Sequence, residues 1–276
     1  MTNASTNPAH PLPLSRRPTL LAIGSLLIAL LADVLAVAGL LAGNAVYQSE
    51  GLRRSFVTND LVNLVFGVPI LLIALWMARR GKLAGLLFWP GALFFLLYNA
   101  AIVYVYALPL GWAWLLYLVL LALVIYTLIG LVASIDGGVV QSRLQGRVPE
   151  RLAGGVMVGL GVIFLLIVGG EIAGAVASQT PVARAQLAVY VADFTTIPAW
   201  IIGGVLLLRR QALGYVCGAG LLFGASMLFV GLLVYFLVQP ALTDASFAAS
   251  DFVAVLAFSL VCFVPFGMFL RGLRGA

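Results

Sequence analysis

The chain has 276 residues, of which 63% are hydrophobic and only 9% are charged. Soluble domains are about 25% charged, so this composition excludes an ordinary soluble protein and indicates one that uses lipid as solvent. The net charge of +6 would suggest nucleic acid in a soluble protein. Here the basic residues stand at the ends of apolar runs, which indicates membrane orientation and argues against nucleic acid as a partner.

The N-terminal segment is polar and contains four prolines, which predicts a disordered cytoplasmic tail. The only histidine, His10, lies in this tail, so a histidine-based haem, zinc or proton-relay site inside the membrane is not expected. Arg16 and Arg17 then precede an apolar run from Thr19 to about Ala42, the first predicted span. A cleaved signal peptide is the alternative for this run, because a basic segment and small residues are both present.

Seven further apolar runs are long enough to cross a bilayer as helices, at ~1.5 Å per residue over ~30 Å of hydrocarbon. They lie at 57–78, 83–106, 111–133, 152–176, 187–208, 213–238 and 249–270. Cys217 and Cys262 lie inside such runs without CxxC spacing and are predicted to be packing residues. The predicted fold is therefore an all-α membrane protein with eight transmembrane helices.

The basic residues are distributed unevenly between the two ends of these helices. With a cytoplasmic N-terminus, only Arg53, Arg54 and Arg184 lie on the outer side. The other twelve are then cytoplasmic: Arg16, Arg17, Arg79, Arg80, Lys82, Arg143, Arg147, Arg151, Arg209, Arg210, Arg271 and Arg274. Because cytoplasmic loops are enriched in Lys and Arg, both termini are predicted to be cytoplasmic.

The two halves of the chain resemble each other at a nearly constant offset in sequence. Segment 41–49 (LAGNAVYQS) is similar to 172–180 (IAGAVASQT), the pair Arg79-Arg80 matches Arg209-Arg210, and Pro109 matches Pro240. Each half has four spans, an even number, which predicts two parallel repeats related by a pseudo-twofold axis along the membrane normal. A repeat also argues against cleavage of the first span. The predicted divisions are a tail at 1–18, a four-helix unit at 19–133, a cytoplasmic linker at 134–151, a second four-helix unit at 152–270 and a tail at 271–276.

Five of the nine acidic residues lie within predicted spans, all in the outer half of the membrane: Asp33, Asp60, Glu171, Asp193 and Asp251. A carboxylate that faces lipid at mid-depth costs ~2.5 kcal/mol or more, and no span contains a Lys or Arg that could neutralise it. Asp33 and Asp193 are therefore expected to face the bundle interior or a water-filled cavity. Polar residues at similar depth include Asn59, Asn63, Tyr98, Asn99 and Tyr104.

Two interpretations of these acids remain open. In the first, they line an outward-facing pocket that binds a cation, a proton or an amine-bearing solute. The substrate- or ion-binding residues would then be Asp33, Asp60, Asn63, Asn99 and Asp193, with Tyr98, Glu171 and Asp251 in secondary roles. In the second, Asp60 and Asp251 are N-terminal helix caps, and the other acids pair with Asn, Tyr or loop Arg side chains.

The sequence contains no recognised catalytic signature: no Walker A motif, no HExxH and no GxSxG. We therefore assign no catalytic residue, no metal site and no cofactor. Three blocks, NDLVNLVFGVPILLIALWMARRG, LLFWPGALFFLLYNAAIVYVYA and LIGLVASIDG, together resemble a family of uncharacterised bacterial multi-pass membrane proteins. The resemblance covers most of the chain and implies an integral membrane protein of a bacterium, but no activity. The predicted location is the inner (cytoplasmic) membrane.

The leading hypothesis is a small transporter or permease whose site lies between the two units. A non-transporting membrane subunit or scaffold is the alternative, and an intramembrane enzyme acting on lipid is a weaker one. The expected partners are the lipid bilayer and a small cation or proton, and the oligomeric state is left open.

Overall fold

The computed structural model describes residues 12–14 and 18–274. This part of the chain contains eight helices that are long and apolar enough to cross a membrane, and it has no β-strand. The eight helices are α1 (Thr19–Leu41), α2 (Glu50–Arg79), α3 (Leu83–Ala107), α4 (Trp112–Ser134), α5 (Glu150–Ser178), α6 (Arg184–Leu208), α7 (Ala212–Thr243) and α8 (Ala249–Arg274). Two short helices, Gly43–Val46 and Gly137–Leu144, lie in connections. The prediction of an all-α membrane protein with eight spanning helices is confirmed.

Several helices extend beyond the apolar runs that predicted them. Helix α2 begins at Glu50 rather than at residue 57, because Ser49 caps it by accepting a hydrogen bond from the Leu52 amide. Glu50 then pairs with Arg53 and Arg54 one turn later, at 2.8 and 2.9 Å. Helix α8 likewise continues to Arg274, into the segment predicted as a tail.

Most of the predicted disordered tail lies outside the described residues. Within residues 12–14, Leu14 forms a bridge with Ile135, and the Asp136 amide donates to the Pro13 carbonyl at 2.8 Å. Backbone groups that follow the end of α4 thereby gain hydrogen-bond partners, and the disordered tail stays a prediction for the residues outside the described ones.

The turns that join α2 to α3 and α6 to α7 have the same backbone hydrogen bonds. In the first turn the amides of Arg80, Gly81 and Lys82 donate to Trp76, Ala78 and Met77, and in the second those of Arg209, Arg210 and Gln211 donate to Val205, Leu207 and Leu206. Every donor and acceptor in the second turn lies the same number of residues after its counterpart in the first turn. Gly81 and Arg210, at equivalent positions, both have positive φ, 75° and 53°.

Helix α3 lies at the centre of the bundle and packs against α7. Its apolar segment is 89% buried, against 22% for that of α8. Gly91 of α3 and Gly220 of α7 allow the two backbones to touch, since a Cβ at Gly91 would overlap the Gly220 carbonyl. A Cβ at Gly224 would lie 3.0 Å from the Gly91 carbonyl. This contact joins the first half of the chain (α1–α4) to the second half (α5–α8).

Candidate functional site

A cavity of about 160 Å³ lies between the two halves of the chain, enclosed by α2 and α3 on one side and by α5, α6 and α7 on the other. Its polar lining residues are Asn59, Asn99, Asp193 and Thr196, and its aromatic ones are Tyr98, Phe164, Trp200, Phe229 and Tyr235. Ile197, Leu228, Gly231 and Leu232 complete the wall. We call this space the central cavity.

Asp193 is the only carboxylate among these lining residues. It lies nine residues into α6 and is half-buried, and the Tyr98 hydroxyl donates a hydrogen bond of 2.9 Å to its Oδ1. Within the described chain no basic side chain forms an ion pair with it. The nearest basic residue along α6 is Arg184 at the start of the helix, about 13 Å away at ~1.5 Å per residue. Among the described residues, no side chain is therefore placed to neutralise a negative charge on Asp193.

The wall on the α2 and α3 side is formed by an asparagine cluster. Asn99 donates to Asn63 Oδ1 at 2.8 Å, and its backbone carbonyl accepts from the side chains of Asn59 and Asn63 at 2.8 and 3.2 Å. Both helices widen into π-helical turns here, at Asn63–Gly67 and Leu97–Ile102. Such turns insert one extra residue into a helix and are frequent at functional sites. They place Asn63 and Asn99 opposite each other.

Asp60 lies behind this wall, with no exposed surface. The Tyr104 hydroxyl donates to its Oδ1 at 2.7 Å, and the Tyr47 hydroxyl donates to its Oδ2. Asn59 donates to the same Tyr104 oxygen at 3.2 Å, so hydrogen bonds connect Asp60 to a lining residue of the central cavity. Gly39 of α1 leaves the space that this carboxylate occupies, because a Cβ there would overlap it.

Among the described residues, no group of three or more His, Cys, Asp or Glu side chains is placed to hold a metal ion.

Comparisons with protein-family models, with curated proteins and with solved structures found no match. The chemistry of the central cavity is thus that of one carboxylate, amide and hydroxyl groups, and aromatic rings.

The structure brings together four of the residues that the sequence singled out. Asn99, Asp193 and Tyr98 line the central cavity, and Asn63 is hydrogen-bonded to Asn99. Asp60 is close to the cavity but does not line it. The interpretation of Asp60 as a helix cap is wrong, because α2 begins ten residues earlier, at Glu50, where Ser49 is the cap.

The other three acids do not line the central cavity, although Glu171 is near enough to Asp193 for the two carboxyl groups to repel each other. Asp33 is half-buried on α1, and its Oδ1 is buried without a hydrogen-bond partner among the described residues. Glu171 of α5 is exposed, and Asp251 is exposed in the first turn of α8, where Ser250 donates to it at 3.3 Å. None of the three is among the residues that line the cavity.

The sequence prediction missed the aromatic side of the site. Phe164, Trp200, Phe229 and Tyr235 come from α5, α6 and α7 and meet only after those helices pack. Their position along the spans could have indicated a site. Aromatic residues of a membrane-interface belt lie at helix ends, whereas Trp200 and Phe229 lie well inside α6 and α7.

Proposed function

We propose that the protein is a small transporter, and that the central cavity binds a positively charged solute. The observation that carries this proposal is the Asp193 carboxylate, which is half-buried in a cavity between the two halves and has no basic partner among the described residues. A carboxylate inside a bundle is costly unless it is paired, and intramembrane acids mark substrate and ion pathways. A bound cation would supply the missing charge.

The proposed architecture is two tandem parallel repeats with both termini in the cytoplasm of the inner membrane. The two turns with matching hydrogen bonds support the repeat. Gly91 and Gly220, which touch, are separated in sequence by the same number of residues as the two turns. They are therefore equivalent residues of the two repeats, and residues next to a twofold axis contact their own equivalents. In this arrangement the central cavity lies at the interface of the repeats, toward the outer side, as in transporters whose halves rock around a fixed site.

The scaffold hypothesis explains Asp60 better than Asp193. Both oxygens of Asp60 accept hydrogen bonds from tyrosines, which is what a structural carboxyl group requires. Asp193 receives one tyrosine hydrogen bond and adjoins open space. This difference between the two acids favours solute binding at Asp193.

The test is thermal stability of the purified full-length protein in detergent with a panel of inorganic and organic cations, followed by uptake of any stabilising cation into proteoliposomes. A ligand that binds only the folded state raises the melting temperature, by an amount that grows with its concentration. We expect at least one cation to do so for the wild type and not for Asp193→Asn. Asp33→Asn and Asp251→Asn are matched controls that remove an acid outside the cavity and should keep the response.

A wild type that responds to no cation, or an Asp193→Asn variant that responds like the wild type, would contradict cation binding at this site. Binding without uptake would instead favour a membrane subunit or scaffold.

A further inference from the structure

We infer that the solute of the central cavity is a small alkylammonium ion, an amine carrying methyl or short alkyl groups on a positively charged nitrogen. This inference rests on the proposed function, because it names the ligand class of the same site. It depends on three properties of the cavity: the aromatic rings that line it, its single carboxylate, and its volume.

Five aromatic side chains line the same cavity as the carboxylate. Phe164 packs edge-on against Trp200 with ring centroids 6.4 Å apart, and against Phe229 at 6.1 Å. Tyr98 and Tyr235 close the space from α3 and α7. A cation in the cavity would share this space with the five aromatic side chains, and cation–π attraction acts over about 6 Å from a ring centroid. One carboxylate among aromatic rings is the arrangement that recognises alkylated ammonium groups.

The charge of the cavity suits a divalent metal ion poorly. Asp193 is the only carboxylate among its lining residues. One carboxylate balances a monovalent cation, whereas Mg²⁺ or Ca²⁺ would keep a net positive charge in a largely apolar site and would have to give up a strongly held hydration shell. An alkylammonium ion is weakly hydrated at its alkyl groups, and it can leave water for an aromatic wall with one carboxylate.

The volume limits the size of the ligand. Drug-sized ligands occupy sites of about 300 Å³ or more, whereas one water takes about 30 Å³ of liquid. At about 160 Å³, the central cavity holds an ion of a few heavy atoms. Tetramethylammonium is a suitable probe, because it carries the charge and the methyl groups but no N–H donor.

The experiment is titration calorimetry on the full-length protein in detergent with tetramethylammonium, methylammonium, NaCl and KCl at constant ionic strength. Tert-butanol serves as an uncharged compound of similar shape. We expect tetramethylammonium to bind, Na⁺, K⁺ and tert-butanol to bind at least tenfold more weakly, and Asp193→Asn to abolish binding. Trp200→Leu should weaken tetramethylammonium binding roughly tenfold to thirtyfold, with a smaller loss for Trp200→Phe, which keeps a ring.

Trp112→Leu is the matched control, because Trp112 is 51% exposed and does not line the cavity. If Trp200→Leu does not fold, Phe229→Leu and Trp200→Phe test the same rings. Asp193-dependent binding of Na⁺ or K⁺ without tetramethylammonium would overturn the ligand class and leave the proposed function intact. Tetramethylammonium binding that is unchanged in Trp200→Leu would overturn the aromatic recognition. No binding of any cation would overturn both proposals.

Discussion

At the scale of single residues, the structure separates two acids that the sequence grouped together. Asp193 adjoins the central cavity with one tyrosine as its hydrogen-bond donor, whereas Asp60 is fully buried between two tyrosines. Burying a carboxyl group costs free energy unless its oxygens are hydrogen-bonded. We therefore expect the hydroxyl groups of Tyr47 and Tyr104 to stabilise the fold.

Replacement of Tyr104 by Phe should lower the free energy of unfolding by about 1–3 kcal/mol, the usual cost of leaving a buried polar group without its partner. The phenyl ring would keep its stacking on Tyr117, whose centroid lies 4.3 Å away, so the change isolates the hydroxyl. Thermal unfolding in detergent measures the loss. Tyr106→Phe is the control, because Tyr106 belongs to the same helix but is 52% exposed, and it should unfold like the wild type.

A double-mutant cycle tests the assignment of this loss to Asp60. If Tyr104 acts through the carboxyl group, Tyr104→Phe combined with Asp60→Asn should be less destabilising than the sum of the two single changes. Additive effects would show that the Tyr104 hydroxyl stabilises the protein through another contact.

At the scale of helices, the contact between α3 and α7 depends on glycine. Gly91→Ala would place a methyl group against the Gly220 carbonyl, which is backbone and cannot rotate away. The helices would have to separate, and overpacking of this kind costs about 1–3 kcal/mol. We therefore expect a clearly lower melting temperature for Gly91→Ala.

Gly155→Ala on α5 provides the matched control, because nothing lies within 4 Å of a Cβ at that position. Alanine is favoured over glycine in a helix by about 1 kcal/mol, so this variant should be as stable as the wild type or more stable. Equal melting temperatures for Gly91→Ala and Gly155→Ala would mean that the α3–α7 contact is looser than the structure describes.

The helices themselves could be predicted from the sequence, but their ends and irregularities could not. Hydropathy identified every span, since a predominantly apolar run of about twenty residues matches the thickness of a bilayer and exceeds what most soluble cores can bury. It placed the start of α2 too late, because the turn from Glu50 to Arg54 is polar and its helical state depends on a cap and on ion pairs. The π-helical turns at Asn63 and Leu97 leave no mark in hydropathy.

At the scale of the whole molecule, the sequence predicted part of the site because depth can be estimated from position along a span. Asp193, Asn99 and Tyr98 were expected at similar depth, and they do meet at the central cavity. Asp33 was grouped with them on the same argument, but it does not line that cavity. The direction in which a side chain points depends on which helices are neighbours, and a single sequence does not contain that information.

The final prediction concerns the orientation of the molecule in the membrane, which cysteine labelling can test. Ser142 and Asp244 are exposed and lie on opposite ends of the predicted topology, the first cytoplasmic and the second outer. In a background where Cys217 and Cys262 are replaced by Ala, a membrane-impermeant maleimide added to intact cells should label Asp244→Cys and leave Ser142→Cys unlabelled, and both should react once the membrane is permeabilised. The physical reason is the excess of Lys and Arg at the Ser142 end, which is retained in the cytoplasm. If only Ser142→Cys were labelled in intact cells, the true topology would be the inverse of the predicted one. The central cavity would then lie toward the cytoplasm and would receive its cation from inside the cell.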